Sequence, residues 1–179
     1  VKGLSHGDWR AVHVIRDPVA VVVSGYVYHM HSNDLGGQTP IIRRMNLTRG
    51  VEAEATFALR TSIKEMVDTV KWEAAESDAL VLPLEHFTSS SAQFDETIRR
   101  MYEHLGNTGE RLKTLRESAK QLDLRRGNAP GADAGHVSNA HLKREAARAL
   151  AALSRGTLAE LQQAQEALGY AIWQPPSVG

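Results

Sequence analysis

Two short apolar runs limit what this chain can fold into. Ala11 to Ile15 and Asp78 to Leu84 each read as a buried strand between polar or turn-forming neighbours. The residues between them carry helical periodicity. Strands separated in this way meet side by side in the same direction, through crossover connections. The expectation is an α/β fold, a parallel sheet flanked by helices and helix-rich in the remainder. Two parallel strands do not form a self-sufficient sheet. At 179 residues one domain is the default, and the missing strand partners predict that this single domain, residues 1–179, is partial and incomplete at its N-terminus.

The helices follow from pattern and punctuation. Asp17-Pro18 starts one that runs to about Met30: Asp is a good N-cap, and Pro fits the first turn, where its missing N–H is no loss. His31 to Gly50, with Asn33-Asp34, Gly36-Gly37 and Pro40, reads as a loop that lines a pocket or acts as a lid. Glu52 to about Glu76 reads as one long helix striped by Leu59, Ile63, Met66, Val67, Val70 and Ala74. Ser90 with Gln93 forms a capping box for a helix faced by Phe94, Ile98, Met101, Tyr102 and Leu105 and closed at Gly106. Leu112, Leu115, Ala119 and Leu122 mark a further helix. Gly127 to Gly135 is a connector, and two closing helices follow, striped by Leu142 to Leu153 and by Leu158, Leu161 and Leu168. Tyr170 and Trp173 are expected to pack back onto the body.

Composition excludes several classes. Lys+Arg and Asp+Glu number 21 each, so the basic footprint of a dedicated nucleic-acid binder is missing. Thr97 to Arg126 is locally basic, with Arg99, Arg100, Arg111, Lys113, Arg116, Lys120, Arg125 and Arg126 against four acids. Such a stretch is either a solvated helical face or a rim that attracts an anion. With no cysteine, disulfides and thiolate metal sites are excluded, and the leaning is toward a reducing, cytoplasmic compartment. Asn46-Leu47-Thr48 is a formal glycosylation triplet, of a kind that chance often supplies. No apolar run is long enough to span a bilayer.

The most informative segment is Arg16-Asp17-Pro18-Val19-Ala20-Val21-Val22-Val23-Ser24. A strand delivers Arg16 to its carboxyl end, and Ser24 follows about two turns into the next helix, near the crevice where α/β sheets bind phosphorylated ligands. The segment resembles the 3′-phosphate-binding segment of the PAPS-dependent sulfotransferases, Arg-Asp/Asn-Pro-x-Asp-x-x-x-Ser, with the same spacing of eight. Ala20 stands in the place of the second Asp, and the aromatics that follow the serine are Tyr26 and Tyr28. Leu80 to Phe87 is similar to the family's late strand ending in Tyr-Glu-Asp-Leu, with Leu84 in place of the tyrosine. The family's phosphate-cradling Pro-Lys-x-Gly-Thr/Ser-Thr loop is absent from the sequence, as is Gly-x-x-x-x-Gly-Lys-Ser/Thr.

The resemblance implies a P-loop-type sulfotransferase fold and transfer of a sulfuryl group from 3′-phosphoadenylyl sulfate (PAPS) to a hydroxyl or amine acceptor. This chain would be the C-terminal part, inactive alone if the 5′-phosphosulfate loop lies elsewhere. Arg16 and Ser24 would hold the donor's 3′-phosphate, with no metal. Two alternatives are a non-catalytic 3′-phosphoadenosine-binding module and another P-loop-type nucleotide enzyme, such as a small kinase. On the bland reading, Arg16 pairs with a carboxylate and Ser24 bonds back to a helix carbonyl. Arg125-Arg126-Gly127 is similar to a late Arg-Lys-Gly segment that touches the same phosphate, and His136 is a further candidate. His13 reads as a core histidine, His6 as part of a polar start, and Glu85 as an anchor for a helix start. His29 and His31, two apart on a helix, make a poor metal pair. No catalytic base is assigned, and the partners expected are the donor nucleotide and an unidentified acceptor.

Overall fold

The two apolar runs pair in parallel, as their separation requires. In a computed structural model, which describes residues 9–32, 39–73, 78–127 and 139–175, β1 (Ala11–Ile15) lies beside β2 (Ala79–Pro83). Ala11 sits opposite Ala79, and the register runs on to Ile15 opposite Pro83. Everything else regular among the described residues is helical: α1 (Pro18–His31), α2 (Thr39–Ile42), α3 (Leu47–Arg60), α4 (Ser62–Glu73), α5 (Glu85–Thr88), α6 (Ser91–His104), α7 (Gly109–Ala119), α8 (Ala140–Ala149) and α9 (Arg155–Ala167). The protein is therefore mostly helical with a small parallel sheet. None of these helices is long and apolar enough to cross a membrane.

The chain divides into two compact units, each built from two separate stretches of sequence. The first comprises Val1–Arg16 and Thr69–Ala132. It holds the sheet and α5 to α7. Phe94 and Ile98 of α6 and Ala119 of α7 are buried together, with Phe87, Met101 and Tyr102 around them. The end of α6 is tied to the start of the sheet: His104 Nε2 lies 3.0 Å from the carbonyl oxygens of both Ala11 and Asp78, and Arg10 donates to the His104 carbonyl at 2.8 Å. Trp9 and Trp72 stack with ring centroids 5.6 Å apart.

The second unit comprises Asp17–Asp68 and Asp133–Gly179. Its core joins Val22 and Tyr26 of α1, Val51, Ala55 and Ala58 of α3, Ile63 of α4, Ala146 and Ala149 of α8, and Leu161 and Ala164 of α9. α1 and α3 cross closely because each offers a glycine to the other. A Cβ on Gly25 would lie 2.1 Å from Glu54 Oε1, and one on Gly50 would lie 2.7 Å from the Tyr26 ring. Trp173 packs against this core, as its place in the sequence implies.

Three readings of the sequence need correction. The expected helix from Glu52 to Glu76 is, over its described residues to Glu73, two helices broken at Thr61 (φ −121°, ψ −104°). The Thr61 hydroxyl donates to the Phe57 carbonyl at 2.9 Å, but Thr56 makes the same bond to Glu52 inside unbroken α3, so the break lies in the backbone of Thr61 and not in its hydroxyl. The expected loop from His31 to Gly50 contains α2 and the start of α3. Asn46, inside that stretch, caps α3 by accepting from the Arg49 N–H at 3.0 Å. Leu122 belongs to no apolar stripe: α7 ends at Ala119, two 3-10 turns follow (Lys120–Leu122 and Leu124–Arg126), and Leu122 is exposed.

Candidate functional site

Local chemistry builds the junction after β1 as the sequence implies. Ile15 is buried at the strand end and Arg16 follows it. Asp17 caps α1, its Oδ1 accepting the Val19 N–H at 3.0 Å, and Pro18 takes the first helical position. The same Oδ1 accepts a second bond, at 2.8 Å, from Nε2 of Gln165 on α9. Gln165 is 1% exposed, and its Oε1 accepts the Trp173 N–H at 2.8 Å. A fully buried amide thus holds the α1 cap to the returning tail. Sequence reasoning missed Gln165, since nothing local marks a glutamine on an amphipathic helix as buried.

Arg16 is half-buried and closes the first unit; Ser24 is half-buried on α1, in the second. Among the described residues no carboxylate pairs with Arg16, and the Ser24 hydroxyl makes no bond back to a helix carbonyl. Their joint assignment to one phosphate rests on their spacing in the sequence.

The α1–α3 crossing holds a second polar feature that sequence reasoning missed. His29 Nδ1 lies 2.7 Å from Glu54 Oε2, and Glu54 is 3% exposed. Burial pushes the Glu54 carboxyl above the ordinary glutamate range, and the adjacent imidazole offsets this only in part. Phe57 meets the His29 ring edge-on at 6.2 Å. Arg43 donates to the carbonyls of His29 and Ser32, tying the end of α1 to the segment before α3. The signal was present: Gly25 is the one glycine of α1, and an isolated glycine inside a helix points to a packing reason.

The other candidates are placed as follows. Arg126 is engaged structurally, with two parallel bonds to Asp95 at 2.9 and 2.7 Å and an ion pair to Asp123 at 3.3 Å. Arg125 is exposed, and its Nε donates to the Thr88 carbonyl at 2.7 Å. Gly127 has φ +71°, which suits the end of the turn. Much of the basic stretch is neutralised on its own helices: Arg99 pairs with Glu96 and Glu103, Lys113 with Glu110, and Lys120 with Glu117. That favours the solvated face over an anion-attracting rim. Glu85 begins α5. His13 lies half-buried in β1, and His31 is exposed. His6 and His136 lie outside the described residues. Among the described residues no three His, Asp or Glu side chains gather where a metal ion could be held. No family model, no curated protein and no solved structure matches this chain.

Proposed function

We propose that this chain carries the 3′-phosphoadenosine end of a sulfate-donor site, in a P-loop-type sulfotransferase domain, and serves sulfuryl transfer from PAPS to a hydroxyl or amine acceptor. The observation that supports the reading is Arg16. It stands at the carboxyl end of a parallel strand, directly before a capped helix, with no carboxylate partner among the described residues. Ligands of open α/β sheets bind beyond the carboxyl ends of the strands. A guanidinium there is free to grip phosphate oxygens with two parallel, charge-assisted bonds. The Ser24 hydroxyl is the second donor that the eight-residue spacing assigns.

The chemistry asked of the complete site is an in-line displacement. The acceptor oxygen or nitrogen attacks sulfur, and the bond from sulfur to the oxygen of the nucleotide's 5′-phosphate breaks. The acceptor loses its proton, and 3′-phosphoadenosine 5′-phosphate leaves. The residues named here supply binding and orientation.

Calorimetric titration of the chain with 3′-phosphoadenosine 5′-phosphate tests the reading, with adenosine 5′-phosphate as the comparison. The bisphosphate is expected to bind tighter, and Arg16→Ala is expected to weaken it by about 10- to 100-fold, the worth of charge-assisted bonds to one phosphate. Ser24→Ala should weaken it less. Equal affinity for the two nucleotides, or an Arg16→Ala variant that binds like the parent, overturns the assignment.

A further inference from the structure

The turn after α7 is built inside out. Asp123, the polar residue, is 1% exposed, while its neighbours Leu122 and Leu124 are 64% and 67% exposed. The cause is local. Asp123 Oδ1 accepts the Arg125 N–H at 2.9 Å, and Oδ2 lies 3.3 Å from Arg126, which is itself fixed to Asp95 on α6. Pinning the carboxylate inward turns both leucines out. The buried charge is the informative half of this inversion, and the two leucines that flank it add apolar surface beside it.

The leucines flank a cleft of about 410 Å³, whose other walls are Phe87 and Thr88 of α5, Phe94 of α6, and Asp123 and Arg125 of the turn itself. The two phenylalanine rings meet edge to face, with centroids 6.3 Å apart. Arg125 stands at the edge. Its Nε is anchored to the Thr88 carbonyl, and no other side-chain bond or carboxylate reaches its guanidinium from the described residues. The anchor fixes the fork and leaves both Nη groups open to solvent or to a ligand. Apolar walls with one fixed cation define a small-molecule site for a body that is greasy at one end and anionic at the other. Asp123 also lines the cleft, but its side chain is 1% exposed, its Oδ1 is taken by the Arg125 N–H, and the ion pair with Arg126 offsets its charge.

We propose that this cleft binds an amphipathic monoanion, an aliphatic or aromatic body bearing a sulfate, sulfonate or carboxylate, with the body between the leucines and phenylalanines and the head on Arg125. Every residue of the cleft lies in the first unit, and the inference does not depend on the nucleotide reading.

Calorimetry of the chain with decyl sulfate, decanoate and decanol below their aggregation concentrations tests it. Decyl sulfate and decanoate are expected to bind one molecule per chain, about tenfold tighter than decanol, the contribution of one charge-assisted contact. Arg125→Gln should bring decyl sulfate to the level of decanol, and Arg125→Lys should lose less. Leu124→Ser, at an exposed position that folding does not need, should weaken all three. Arg16→Ala should leave all three unchanged, so failure here and failure of the nucleotide reading are separable. Equal affinity for decanol and decyl sulfate, binding unaffected by Arg125→Gln, multiple sites that survive Leu124→Ser, or the absence of saturable binding each overturn the proposal.

Discussion

At the residue scale, Gly25 gives the sharpest test of how α1 is held. An alanine in a helix interior gains about 1 kcal/mol over glycine from propensity alone. Here the new methyl carbon would sit 2.1 Å from Glu54 Oε1 and 2.9 Å from its Cδ. Glu54 is buried and bonded to His29, so it cannot swing out to make room. Overpacking of this kind costs about 1–3 kcal/mol and outweighs the propensity gain. Gly25→Ala is expected to lower the urea midpoint, and a raised midpoint would show that the crossing is slack. What the sequence reveals at this scale follows distance along the chain. Asp17 and Pro18 were legible because a cap and a first-turn proline act on neighbours. Gln165 was not, because its partner Asp17 lies 148 positions away. Glu54 meets His29 across 25 positions, and only the lone glycine of α1 hinted at it.

At the element scale, α3 carries two carboxylates that pH moves in opposite directions. Glu52 accepts the Ser154 N–H at 2.9 Å and the Thr157 hydroxyl at 2.6 Å, holding α3 to the start of α9. Burial alone would raise its pKa, but these bonds outweigh burial and hold it below the ordinary 4.5. The unfolded chain then binds the proton more readily, so Glu52 adds stability above 4.5 that is lost as pH falls through the folded value. Glu54 is the reverse. Its folded pKa lies above 4.5, the folded chain holds the proton longer, and stability falls as pH rises from 4.5 through the folded value. Urea unfolding between about pH 3 and pH 7 separates the two. Glu52→Gln should flatten the acid limb, and Glu54→Gln should flatten the fall above it. The same helix shows where element boundaries escape sequence reasoning. Thr61 is no breaker by type, yet its backbone leaves the helical region and ends α3, while the apolar stripe runs on through Ile63, Met66 and Val67 as if unbroken. Both strands, by contrast, were readable from composition and length, and the Ser90 cap on α6 and the glycine after it, Gly106 at φ +83°, from type alone.

At the scale of the whole chain, two units are woven from four stretches of sequence, so the chain passes between them three times. Only the passage at Ala132–Asp133 falls where composition marks a linker, Gly127 to Gly135; those at Arg16–Asp17 and within α4 carry no such signal. The two cores differ in depth among the described residues. The second unit gathers a cluster drawn from six of its segments, whereas the first centres on Phe94, Ile98 and Ala119. Few buried apolar contacts mean lower local stability. Native-state hydrogen exchange is expected to find the amides of α6 and α7 opening more readily than those of α1 and α3. Equal protection across both sets would mean that they open as one. The paired glycines of the second unit carry one more consequence. Gly25 receives a side chain from α3 while Gly50 receives one from α1, so the two helices are keyed at two points, in opposite directions. Sliding one past the other by a turn would carry Glu54 and Tyr26 off the two glycines and onto positions that bear side chains. The crossing has a single resting place, and the hydroxyl of Ser24, one residue from the key, inherits that fixity.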